Sequence, residues 1–230
     1  EENIRPKSVA RDLLERFCSF HDYVRDYGLE RSEGVLLRYL SQAYKALLQT
    51  VPEALRTEEV DDVLEALRAM LRSVDSSLLD EWQSLRADGA PAAAAIVPLV
   101  APQPIADDPR VLTARVRGEL HRLVAALANR RYEEAAALVR PPADGAPWTA
   151  ATLAEAMAPY WAEHASIDVT PRARAPRQTL IAPAEAKGTF TARQRLLDPA
   201  GDEDWMLDCF VDARQESADA PLIELRAIRR

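Results

Sequence analysis

Three cations stand seven residues apart in the stretch RSEGVLLRYLSQAYKALLQ: Arg31, Arg38 and Lys45. Seven residues are close to two helical turns, so a helix here stacks them on one side. At about 100° per residue, Gln42 and Gln49 join Arg38 and Lys45 in one narrow sector, with Arg31 near the start of the helix. Long cations and amides in one file can track the phosphate backbone of a nucleic acid. The same file is also the polar side that any amphipathic helix turns to water.

Other residues with chemistry in them are sparse. The chain has three histidines, His21, His121 and His164, and none has a partner at zinc-ligand spacing, so no metal site is expected. The seven glycines form neither a phosphate-binding loop nor a dinucleotide fingerprint, so this segment does not hydrolyse ATP by itself and holds no nucleotide cofactor. An Asp beside a His can act as a general base, which would pair Asp208 or Asp212 with His121 or His164 in a pocket. The simpler expectation is that these Asp residues line the solvated side of a sheet, and no catalytic residue is assigned. Trp148, Tyr160, Trp161 and Trp205 are expected as core and domain-interface aromatics rather than a base-stacking platform.

The elements that must position these residues follow from periodicity. Val9, Leu13, Phe17, Phe20, Val24 and Tyr27 predict one helix that Gly28 closes. Ser32 is placed to cap a second, with Val35, Leu36, Tyr39, Leu40, Ala43, Leu47 and Leu48 as a broad apolar band and Pro52 as its stop. Thr57, followed by Glu58, Glu59, Asp61 and Asp62, opens a third that runs to about Leu85, with a break near the DSS triplet. Residues 1–86 thus read as a helical bundle whose wide apolar bands call for cover by another domain. Residues 87–106, rich in Ala and Pro, read as a linker.

From 107 to 230 the pattern restarts. Asp108 caps a long helix with Pro109 in its first turn, two shorter helices follow, and Pro159 bends or ends the last of them. Beyond Ser166 the period moves toward two, giving strand candidates in SIDVTP, QTLIAPAEA, GTFTARQRLLD, WMLDCFVDARQE and APLIELRAIRR, with DPAGDED as a hairpin connection. The fold class is therefore α+β. Helices on the concave side of a curved antiparallel sheet are similar to the cone of the nuclear transport factor 2-like superfamily, a likeness of element order.

With a net charge of −8 the chain does not coat nucleic acid or anionic membrane by bulk charge, yet a local basic stripe can still work. Two cysteines far apart, Cys18 and Cys209, fit a reducing compartment and a cytoplasmic setting. No apolar run is long enough to span a membrane. The start, without a Met, reads as a cut from a longer protein.

The run RSEGVLLRYLSQAYKALLQTVPE, the sequence leading into it from IRPKSVARDLLERF, VDSSLLDEW and the late DPAGDEDW resemble the C-terminal region of a bacterial family of DEAD/DEAH-box helicases with an appended domain of unknown function. The resemblance covers nearly the whole chain. It implies two upstream motor domains, which would carry ATP and Mg, and makes this chain a non-catalytic accessory module. Helix two would then lie along single-stranded RNA or DNA. Other expectations are a protein-docking or dimerisation module working through the α+β part, and, less favoured, a small-molecule-binding or isomerase- or hydratase-like cone.

Overall fold

A computed structural model of the chain describes residues 6–16, 20–87, 108–143, 145–215 and 220–230. Two compact units divide it, Glu1–Gln103 and Pro104–Arg230. Together they hold helices and a four-stranded antiparallel sheet, an α+β chain. The expected linker lies outside the described residues except for Ala87, which ends a helix.

The first unit is helical: α1 (Pro6–Arg16), α2 (Phe20–Tyr27), α3 (Glu33–Thr50) and α4 (Glu58–Ala87). Where one helix was expected over the first two, residues 17–19 are outside the described set. Gly28 ends α2 with φ at +62°, a conformation open to residues without a Cβ. The Leu29 N–H donates to the Val24 carbonyl at 2.9 Å and Gly28 N–H to Arg25 at 3.2 Å, a Schellman closure. Ser32 does precede α3, at the end of a single 3₁₀ turn (Glu30–Ser32), but its side chain makes no capping hydrogen bond. At φ −109° and ψ 2° its backbone is not the extended conformation that aims a capping hydroxyl at the next turn.

The α3 helix stops before Pro52 as its sequence requires, and Arg56 closes the end. Its guanidinium donates to the carbonyls of Val51 at 3.1 Å and Leu48 at 2.9 Å, satisfying groups the helix cannot pair internally. The α4 helix is continuous through the DSS triplet, with no break there. Serine and aspartate inside a helix lower its propensity by only tenths of a kcal/mol, too little to interrupt 30 residues. Val9, Leu13, Phe20, Tyr23, Val24, Leu36, Leu40, Leu67, Leu71 and Val74 share one buried cluster, the core of this unit.

The second unit opens with α5 (Pro109–Ala128), capped by Asp108, whose Oδ1 accepts from Arg110 N–H at 2.9 Å. The helix ends when Arg130 turns left-handed at φ +56°, its guanidinium lying over the Trp161 ring. Then come α6 (Tyr132–Ala137) and α7 (Ala150–Glu163), the latter held by a reciprocal Thr149–Thr152 capping box. Pro159 neither ends α7 nor stops its hydrogen bonding, since His164 N–H still reaches the Tyr160 carbonyl at 2.8 Å.

Strands β1 (Thr179–Pro183), β2 (Thr189–Arg195), β3 (Met206–Asp212) and β4 (Ile223–Arg229) form an antiparallel meander in that order. A bulge at Arg226, between the pairs Asp208–Ala227 and Cys209–Leu225, bends β4. SIDVTP is not a strand. The Asp168 carboxylate accepts from Thr170 N–H at 2.8 Å, and this local turn, followed by Pro171, takes the backbone away from a ladder.

On β3 the residues Leu207, Cys209 and Val211 are buried, joining Leu120, Leu123, Leu127, Leu153, Met157 and Tyr160 from the helices in one core. Helical side chains thus fill the face of the sheet that a cone would hollow out. Tyr160 is the aromatic hub, with Trp161 and Trp205 edge-on at 5.0 and 5.7 Å. The indole N–H groups of Trp148, Trp161 and Trp205 donate to the Leu225 carbonyl, Tyr132 hydroxyl and Glu163 carboxylate. These aromatics are anchored as structure.

Candidate functional site

The helix α3 has two unlike faces. Leu36 and Leu40 are buried with Leu47 packed beside them, and the opposite side carries Arg38, Gln42, Lys45 and Gln49, all exposed, with Arg31 exposed on the preceding 3₁₀ turn. Four of the five residues singled out from spacing therefore share one open face of α3, its two cations about 10 Å apart along the axis, and Arg31 is exposed on the turn before it.

Ion pairing separates this file from the rest of the unit. Among the described side chains there, Arg11 meets Glu15, Arg16 meets Asp12, Arg25 meets Asp22, Arg68 meets Glu65, and Arg56 and Arg72 are engaged as well. Arg31, Arg38 and Lys45 meet no carboxylate among the described residues. For Arg38 and Lys45 the reason is compositional: from Gly34 to Pro52 there is not one Asp or Glu, in a chain with 37 of them, whereas Arg31 stands beside Glu30 and Glu33 without pairing to either. Their charge is left to attract an external anion. The helix also exposes apolar groups, Val35 to 72% and Leu48 to 39%, and Leu55 on the 3₁₀ turn Glu53–Leu55 is 72% exposed.

The general-base pairing considered from sequence does not form. Asp208 is engaged by Arg193 at 3.1 Å and by Arg229, while Asp212 binds Arg214 through both oxygens at 2.7 Å. Asp212 is also buried rather than on a wet face, because Arg214 neutralises it. The Arg214 hydrogen bond outweighs burial and keeps its carboxyl below the usual carboxylate range. His121 is buried, and burial first, then the Arg174 and Arg117 charges, lower its imidazole to about 3. It is a neutral core histidine at neutral pH.

His164 keeps different company, which spacing did not reveal. At the end of α7 its Nδ1 lies 3.8 Å from Asp198 Oδ1 and its Nε2 3.8 Å from Glu163 Oε2. Asp198 sits in the β2–β3 connection and accepts N–H bonds from Gly201 at 2.7 Å, Asp202 at 3.2 Å and Glu203 at 2.8 Å. Gly201 at φ +82° wraps the loop tightly enough to aim all three. Burial alone would raise the Asp198 carboxyl, but those N–H groups and His164 overcome it and hold it low. The only sequence signal was the turn composition of DPAGDED, which says nothing of a histidine 34 residues earlier.

The described structure is thus a helical unit with an open cationic helix face and an α+β unit with a filled core. Residues 1–229 match the model of the family described as Domain of unknown function (DUF3516), and the chain belongs to that family. No curated protein and no solved structure matches it.

Proposed function

We propose that the chain is a non-catalytic accessory module of an ATP-dependent nucleic-acid helicase, in which α3 holds single-stranded RNA or DNA by its phosphates. The observation that carries this reading is the exposed file of Arg31, Arg38 and Lys45, which meet no carboxylate among the described residues, with Arg38 and Lys45 inside a run that holds no Asp or Glu. Gln42 and Gln49 add hydrogen-bond donors along the same line. In this reading ATP and Mg belong to motor domains elsewhere in the parent protein, and the resemblance of RSEGVLLRYLSQAYKALLQTVPE to helicase C-terminal regions supports that placement. The α+β unit then serves as a scaffold of the nuclear transport factor 2-like kind, with its interior packed rather than catalytic.

The test is fluorescence anisotropy of the whole chain with labelled oligo(dT) and oligo(rU). Binding weakens as salt rises, and Arg38→Glu with Lys45→Glu abolishes it while Arg11→Glu, which breaks an ordinary surface pair, does not. Equal binding by all three proteins would sink the assignment.

A second reading has its own observation. Val35 and Leu55 are both 72% exposed, and on the other unit Leu180 stands 62% exposed on β1, a sheet-edge strand. A protein partner, such as the motor domain or a second copy of the chain, could cover such residues. Sedimentation showing a concentration-dependent mass that Leu180→Lys removes would favour dimerisation through the α+β unit.

A further inference from the structure

We propose that His164, Asp198 and Asp202 form a binding site for a divalent transition metal ion of the zinc or manganese class. It lies where the end of α7 meets the β2–β3 connection, and the proposal stands independently of any role in nucleic-acid binding. The ligand-capable atoms of the three residues all fall within 4.8 Å of one another. An ion with bonds of about 2.0–2.2 Å keeps its ligands roughly 3 to 4 Å apart, so closure needs only a small inward movement. Asp202 is the exposed member, on the loop, and can make it.

The imidazole supplies the independent observation. Only 8% of the His164 side chain is exposed, and neither ring nitrogen has a hydrogen bond among the described residues. A ring so little exposed keeps only marginal water contact in place of hydrogen-bond partners. Its Nδ1 faces Asp198, and at 3.8 Å the separation is too long for a direct bond. An ion between them satisfies both groups.

The surroundings suit such an ion. The Asp198 side chain, 1% exposed, is oriented by the three backbone N–H groups and kept ionised. Its Oδ2 accepts only the Glu203 N–H, which leaves coordinating capacity on that oxygen. Glu163 is the outer partner: its Oε2 faces His164 Nε2 while accepting from Trp205 Nε1 at 3.2 Å, the position from which a carboxylate orients a metal-bound imidazole. One nitrogen with two carboxylates selects zinc or manganese over magnesium or calcium, which prefer oxygen alone. Three protein ligands also leave positions open to water.

The experiment is calorimetric titration of the tag-free, chelator-treated whole chain with Zn²⁺ and with Mn²⁺. The expected result is one ion per chain at micromolar affinity or better for at least one of the two, with a rise in thermal midpoint. Asp202→Asn, at an exposed position, should lower affinity about tenfold or more without changing the far-ultraviolet spectrum. His164→Gln should do the same. Absence of binding by either ion at millimolar concentration would overturn the site. So would binding that both variants leave unchanged, since the ion would then be elsewhere on the surface.

Discussion

His121 makes the acid limit of the α+β unit predictable. An unfolded histidine takes up its proton near pH 6.5, at about the model-peptide value, whereas the buried ring, with Arg174 and Arg117 against it, waits until about 3. The unfolded chain therefore binds more protons throughout that window, and stability is greatest above it and declines as pH falls through it. Asp212, whose carboxyl is depressed by Arg214, adds a further loss that sets in below about pH 5 as an unfolded carboxylate begins to protonate. Urea denaturation at pH 7.5, 6, 5 and 4 should show the decline, and His121→Leu should flatten it above about pH 5. A slope unchanged by that substitution would contradict the assignment. Burial also pushes the Cys209 thiol up, so a disulfide reagent should leave it unmodified until the protein unfolds. At Asp198, an Asn cannot accept all three loop N–H bonds, and Asp198→Asn should cost about 1–3 kcal/mol in the same denaturation assay.

Among the elements, α3 depends on its end. Replacing Arg56 by Ala removes two hydrogen bonds to the last carbonyls, and a loss of about 1 kcal/mol is expected by thermal or urea unfolding, with nucleic-acid binding at the stripe retained. This helix shows what a sequence makes legible. The positions of Leu36 and Leu40 against Arg38 and Lys45 follow from helical period, and the cap Asp108 from turn chemistry, since its side chain acts on backbone two or three residues away. Four strands were legible from alternation because one face packs on helices. Where local signals competed, periodicity misled: Asp168 bonded its own turn and removed a strand, and a break expected at DSS did not occur because a long helix tolerates a few poor formers. The site of His164 with Asp198 and Asp202 was not legible at all. Its members lie on a helix and on a loop that only the meander of β2 and β3 brings back together.

At the scale of the whole chain, a net charge of −8 and an acid-free helix face are two parts of one design. Acidic residues elsewhere pair with Arg11, Arg16, Arg25 and Arg68 of the helical unit and suppress indiscriminate attraction to polyanions, while Arg31, Arg38 and Lys45 meet no carboxylate among the described residues. Under the proposed function, such a surface is expected to bind locally rather than by coating. If the three cations are the phosphate contacts, the logarithm of affinity for a single strand should fall against the logarithm of salt with a slope of about −2, from roughly 0.7 counterions released per contact. That salt titration, run on oligo(rU) and oligo(dT) with the whole chain and with its Arg38→Glu, Lys45→Glu variant, tests the central claim most directly. The account predicts a slope near −2 for the native chain and no measurable binding by the variant. A slope and affinity that the two charge reversals leave unchanged would contradict it.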